Sequence, residues 1–243
     1  MALPKIGIPY YDLELISGRK IQYRPFTVKE EKALLLANEN KDKSAAIVAI
    51  RNTLNSCILQ DEKNRINVEQ LPMFDIEQLF LNIRMKSVGE MSEFNYTCVE
   101  CEGSPSVKTK LDLRNVRVEN EGNGGSKKVM ITENVGVELQ YPPFKSFLGK
   151  NVSGSGDQMN AIMALEMISD CIVTVYDEKQ VYTRKDFTEK EIKDFVDSLT
   201  QDQLKKINEF FENMPRLVYD LEITCPCGVV SKKKLQGISD FFS

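Results

Sequence analysis

Two short cysteine pairs constrain this chain more than any other feature. Cys98-Val99-Glu100-Cys101 lies near the middle and Cys225-Pro226-Cys227-Gly228 near the C-terminal end, and the chain contains no histidine. A bound metal must therefore be held by sulfur or carboxylate. Four thiolates brought together by two tight turns form the tetrahedral set that zinc takes in structural sites. Each pair follows a β-like run, Phe94-Asn95-Tyr96-Thr97 in one case and Leu221-Glu222-Ile223-Thr224 in the other. Each precedes another, Val107-Lys108-Thr109-Lys110-Leu111 and Ser231-Lys232-Lys233-Lys234-Leu235. The pattern predicts two hairpins with thiols at their tips. Neither tip supplies more than two ligands, so zinc requires the tips to meet across roughly 120 residues of sequence.

The matching tips belong to a longer correspondence. Tyr23-Arg24-Pro25-Phe26 resembles Tyr141-Pro142-Pro143-Phe144, and each follows a β-like stretch, Lys20-Ile21-Gln22 and Val137-Glu138-Leu139-Gln140. Helical spacing comes next in both. It predicts helices over 29–37 and 43–59 in the first copy, with Ala46, Ile47, Ile50, Leu54, Cys57 and Ile58 on one face. In the second copy it predicts a helix over 158–173, with Ile162, Leu165, Ile168, Cys171 and Ile172. Polar turns at 60–65 and 176–180 both contain Asp-Glu-Lys. Further helices are expected from Phe74 toward Arg84 and over 188–198 and 201–213. Thr188 and Glu191 have capping-box spacing, and Thr200 can cap the helix after it. Five correspondences in one order point to an internal duplication, with an insertion in the second copy.

Composition narrows the chemistry. Of 243 residues, 42% are apolar and 28% charged, an ordinary globular balance, and the formal charge is −4. No apolar run approaches the roughly 20 residues of a membrane span, and the N-terminus lacks the apolar stretch of a signal peptide. Cytoplasmic synthesis is the default expectation, under which six cysteines point to thiols and metal rather than disulfides. The acidic balance disfavours broad phosphate binding; Lys232-Lys233-Lys234 reads as a solvated run. Without histidine there is no histidine base and no Ser–His or Cys–His nucleophile. Glu30-Glu31 and Glu189/Glu191 read as helix-end charges.

For the cysteines, a shared zinc site leads. The single-residue spacer of Cys225-Pro226-Cys227 is tight, though Gly228 can relax the turn through a positive φ. A redox Cys-x-x-Cys normally opens a helix, which lowers the thiol pKa, whereas Cys98 follows a β-like run. Two unligated pairs are the remaining reading. Cys57 and Cys171 fall on apolar helix faces and are expected in the core. Asn151-Val152-Ser153-Gly154-Ser155-Gly156-Asp157 lacks the Gly-Lys-Ser/Thr of a phosphate loop and reads as a loop ending in an N-cap at Asp157.

Several segments resemble a known family. Pro4-Lys5-Ile6-Gly7-Ile8-Pro9-Tyr10-Tyr11, Tyr23-Arg24-Pro25-Phe26-Thr27-Val28-Lys29-Glu30-Glu31-Lys32, Phe74-Asp75-Ile76-Glu77 and Arg84-Met85-Lys86-Ser87-Val88-Gly89-Glu90 are similar to the baseplate proteins of T4-type tailed phages, in particular to hub-assembly members. The resemblance covers most of the chain and is densest over 1–101. It implies a baseplate hub assembly factor or minor structural subunit, working by protein–protein contacts with other baseplate and hub proteins. It implies location in the host cytoplasm during assembly, or in the virion tail baseplate, and carries no catalytic residues. Candidate contact segments are the N-terminal arm with Pro4 and Pro9 (alternatively a strand tucked onto the domain), Phe144-Lys145-Ser146-Phe147-Leu148, and Ile238-Ser239-Asp240-Phe241-Phe242-Ser243, with core packing the alternative for the last two.

The expectation is an α+β protein of two related helix-plus-hairpin repeats, residues 1–119 and 129–243, joined by a flexible Gly-rich link at 120–128. A shared zinc-ribbon-like knuckle of Cys98, Cys101, Cys225 and Cys227 holds one structural zinc. No nucleic acid or membrane span is expected. The alternatives are a zinc-ribbon nucleic-acid-binding protein and a thiol-disulfide oxidoreductase.

Overall fold

The computed structural model describes residues 6–39, 43–60, 65–98, 106–148 and 161–237. Cys101, the stretch 151–157 with the N-cap expected at Asp157, and the C-terminal segment 238–243 lie outside the described residues. The fold is mixed helix and sheet, the α+β class expected from sequence.

The first half opens with an antiparallel hairpin of β1 (Tyr11–Glu14) and β2 (Lys20–Tyr23). Alternation along Lys20-Ile21-Gln22-Tyr23 turns Ile21 and Tyr23 inward, and both are buried. Helices α1 (Val28–Glu39), α2 (Lys43–Cys57) and α3 (Met73–Ser87) follow, then the hairpin of β3 (Met91–Thr97) and β4 (Ser106–Asp112) and the short β5 (Arg117–Glu119). The second half contains β6 (Lys127–Met130), β7 (Gly136–Leu139), α4 (Ala161–Cys171), β8 (Ile172–Tyr176) and β9 (Val181–Thr183), with the four strands in one sheet in that order. It ends with α5 (Glu189–Asp197), α6 (Gln201–Glu212) and the hairpin of β10 (Arg216–Thr224) and β11 (Val230–Gln236). Strand β5 pairs with β10, so that sheet draws strands from both halves.

Two sequence expectations shift in detail. The helix expected to reach 173 stops at Cys171, and Ile172-Val173-Thr174-Val175 enters β8. A β-branched run prefers the pleated sheet. The match of Tyr23 with Tyr141 is two residues out of step with the backbone. Tyr23 bridges Ile58 and Leu139 faces Ile172. The Arg24 N–H donates to the Cys57 carbonyl and the Gln140 N–H to the Cys171 carbonyl, both at 2.9 Å. By hydrogen bonding, Tyr23 corresponds to Leu139, and Cys57 to Cys171.

Helix α3 is the wall between two cores. Its Ile76, Leu79, Phe80 and Ile83 form one stripe at helical spacing, packed with Ile21, Tyr23, Leu54 and Leu71. Phe74 and Leu81 form another, packed with Tyr141, Phe210, Leu217 and Leu235. Phe74 meets Tyr141 edge-on at 5.4 Å, and Tyr141 stacks on Phe210 at 4.3 Å. In exchange, Phe144 enters the first core. Pro143 bridges Pro72, and the Phe144 N–H donates to the Leu71 carbonyl at 2.8 Å. Of the two readings open for Phe144, partner contact or core packing, the structure takes core packing: it is 2% exposed. An aromatic ring after two prolines gains more by filling the neighbouring core than by facing water.

The link between the halves is held in place. Asn120 and Asn123 donate from their side chains to the Met214 and Asn213 carbonyls. A Cβ on Gly124 would stand 2.6 Å from the Ile16 carbonyl oxygen, so glycine is required there. Residues 127 and 128, expected in the link, already belong to β6.

Local signals behave as anticipated on α5 and α6. Thr188 with Glu191 and Thr200 with Gln203 both form complete capping boxes. Thr188→Ala is expected to cost about 1 kcal/mol, read as a lowered midpoint in denaturant with unchanged slope. Glu30 is more than a helix-end charge. Burial pushes its carboxyl up, but hydrogen bonds from Arg24 and Thr27 and the Arg24 charge outweigh burial and hold it at about 2. The Arg24–Glu30 pair, at 2.9 Å, joins the Tyr-Arg-Pro-Phe turn to α1.

Glu77 on α3 behaves oppositely. Burial raises its carboxyl to about 7. Between its unfolded value near 4.5 and about 7 the folded state holds a proton that the unfolded chain releases. Stability from this group is therefore greatest below pH 4.5 and falls as pH rises toward 7, by on the order of 3 kcal/mol. Glu77→Gln should flatten that part of a pH series of unfolding midpoints. An unchanged slope between pH 5 and 8 would remove Glu77 as its source.

Candidate metal centre

The two hairpins that carry the cysteine pairs are built alike. In the first, Tyr96 faces Val107 and Thr97 faces Ser106; in the second, Ile223 faces Ser231 and Thr224 faces Val230. Cys98 and Cys225 each follow the last residue of their strand. Six residues earlier, Ser92 faces Leu111 and Tyr219 faces Leu235. Both leucines are fully buried in the second core, which anchors both hairpins to the same packed surface.

The tight spacer in the second pair has a specific geometry. The Gly228 N–H donates to the Cys225 carbonyl at 2.8 Å, closing a β-turn over Cys225-Pro226-Cys227-Gly228. Proline at the second position and glycine at the fourth are favoured there. Gly228 has φ +89, which a side chain would oppose. The Cys225 N–H then donates to the Val229 carbonyl at 2.9 Å, returning the chain to β11. One residue between the cysteines thus suffices to direct both sulfurs to one place.

The tips meet. The Sγ atoms of Cys98, Cys225 and Cys227 lie within 4.8 Å of one another, and Cys98 and Cys227 are 4.0 Å apart across 129 residues of sequence. The Tyr96 hydroxyl donates to Ser231 Oγ at 2.9 Å, a second bond between the hairpins. Zinc–sulfur bonds of about 2.3 Å in a tetrahedron set neighbouring sulfurs about 3.8 Å apart. The Cys98–Cys227 separation fits that edge and is about twice a disulfide bond. Three of the four expected ligands are therefore brought together; Cys101 lies outside the described residues.

The other cysteines are placed where the sequence suggested. Cys57 and Cys171 are fully buried. Burial pushes the Cys57 thiol to about 11, with Arg24 pulling it down and Glu30 up. Burial and Asp170 push Cys171 to about 12. Both are inert packing groups at neutral pH.

Two lysines of the Lys232–Lys234 run are paired. Lys232 pairs with Glu222 at 3.4 Å and Lys234 with Glu119 at 2.7 Å. Cross-strand neighbours of opposite sign explain the lysine run as a solvated sheet face. Sequence reasoning missed the Tyr96–Ser231 bond and the Phe74/Phe144 exchange. The first had a signal, since both residues flank the tips; the second depends on partners far apart in the chain.

A family model described as T4 bacteriophage base plate protein matches residues 8–243, a span that includes both cysteine pairs. No curated protein matches the chain, and no solved structure matches it. Among the described residues, no helix is long and apolar enough to cross a membrane.

Proposed function

We propose that this chain, which belongs to the T4 bacteriophage base plate protein family, is a non-enzymatic assembly factor or minor structural subunit of the baseplate hub, made of two related halves whose cysteine tips share one zinc ion. Membership implies work alongside other phage structural proteins. The observation that carries the zinc reading is the convergence of the Cys98, Cys225 and Cys227 sulfurs from two separate hairpins. Cys101 would complete the set. Bound there, zinc would supply a structural crosslink between thiolates. The chain's own residues do the positioning: the Pro226–Gly228 turn aims two sulfurs, and Leu111 and Leu235 seat the hairpins.

The duplication is supported by paired features. They are the Arg24-to-Cys57 and Gln140-to-Cys171 backbone bonds and the equivalent hairpin registers. Contacts with other baseplate proteins have apolar surface available. Ile6 and Tyr10 precede β1 at 90% and 50% exposure, and Val28, Leu35 and Leu36 stand out from α1.

The hub role is tested by infecting with phage carrying a nonsense mutation in this gene and imaging the products. The expected result is an assembly arrest without complete baseplates, restored by supplying the protein. Normal contractile tails in its absence would refute the role.

A further inference from the structure

The three described cysteines of the cluster differ in exposure. Cys98 and Cys225 are buried, and Cys227 is exposed on its turn. The sulfur of this exposed residue faces that of the buried Cys98 at 4.0 Å. These two come from different hairpins and different halves. A bond between them would join parts of the molecule that the Tyr96–Ser231 hydrogen bond already holds in register.

We propose that Cys227 and Cys98 form an oxidant-sensitive pair, converted by hydrogen peroxide into a disulfide that releases the metal and joins the two hairpins covalently. The proposal rests on the zinc reading of the same cluster. Cys227 is attacked first because a small polar oxidant reaches it from solvent. Its thiolate takes the terminal oxygen of peroxide, giving a sulfenic acid and hydroxide as the O–O bond breaks. The Cys98 thiolate then attacks the Cys227 sulfur, forming the S–S bond and expelling a second hydroxide. Two sulfurs lose one electron each, and one peroxide is reduced. Closing 4.0 Å to about 2.05 Å requires a shift of about 2 Å, which the surface turn at Pro226–Gly228 can supply. The disulfide sulfurs no longer act as thiolate ligands, so zinc leaves.

Such a pair would respond to a change of compartment. Reducing conditions in a cytoplasm keep thiols available for metal, whereas virion surfaces are oxidising. The metal-held joint formed during assembly would become a covalent one afterwards.

The test uses the purified full-length wild-type protein. Zinc is quantified first, then peroxide is added while released zinc is followed with a chromogenic chelator. The product is digested without reduction for peptide mass spectrometry. The expected result is release of one zinc per chain together with a linked peptide pair containing Cys98 and Cys227, reversed by dithiothreitol and added zinc. Zinc-loaded protein that yields only sulfinic acids, a Cys225–Cys227 link or no release overturns this proposal alone. Protein that is metal-free before peroxide overturns the zinc reading, and the proposal with it.

Discussion

Phe144→Ala is expected to destabilise the protein by about 3–5 kcal/mol. Phe144 is 2% exposed and sits among Ile21, Tyr23, Leu54 and Leu71, in a core whose other buried members come from residues 15–83. Removing the ring leaves a cavity that the walls cannot fill, because α3 is committed on its other face to the second core. The loss is also one of connection, since Phe144 brings the second half into the first. Urea unfolding of the wild type and variant measures it. Phe74→Ala, the reciprocal exchange, should cost a similar amount, while Leu148→Ala, only partly buried at the edge of the same core, should cost less. A Phe144→Ala loss below about 1 kcal/mol would show that this ring does not join the halves.

Chelation of the metal should cost several kcal/mol without unfolding the chain. In the unfolded state the cysteines of the two pairs are separated by well over a hundred residues, and a metal shared by the tips would close that long loop. The folded halves also hold each other by β5–β10 pairing and by the Phe74/Phe144 exchange. The metal-free protein is therefore expected to stay folded with a lower midpoint. Hydrogen-exchange protection should fall at the ends of β3, β4, β10 and β11 and persist in α2 and α3. An unchanged midpoint in excess chelator would mean that the metal contributes nothing to the fold. Global loss of protection would mean that the packed interface is weaker than its burial indicates.

The parts that were legible in the sequence rest on short-range chemistry. A Thr-Cys tip between two β-like runs predicts a hairpin with a thiol at its end because turn chemistry is local, and both hairpins form. The capping boxes at Thr188 and Thr200 are equally local, and both form. The end of α4 differs from the expected one because Ile172 fits a helical stripe as well as a strand, and only pairing with Leu139 decides between them. The Tyr-x-Pro-Phe letters align Tyr23 with Tyr141, whereas the backbone bonds to Cys57 and Cys171 align it with Leu139, two residues away. The two stripes of α3 overlap in sequence, so one helix serving two cores reads as a single apolar face. The β5–β10 pairing and the seat of Phe144 depend on partners tens of residues away, which no local pattern encodes. At the site, the tight Cys-Pro-Cys spacer is a closed turn with Pro226 and Gly228 at favoured positions, and Gly228 has the positive φ its type allows.

Metal analysis of the purified protein tests the shared knuckle most directly. One zinc ion per chain is expected, lost when Cys225 and Cys227 are both changed to Ser, with a matching fall in stability. A metal-free wild-type protein as stable as the same protein incubated with zinc would contradict it.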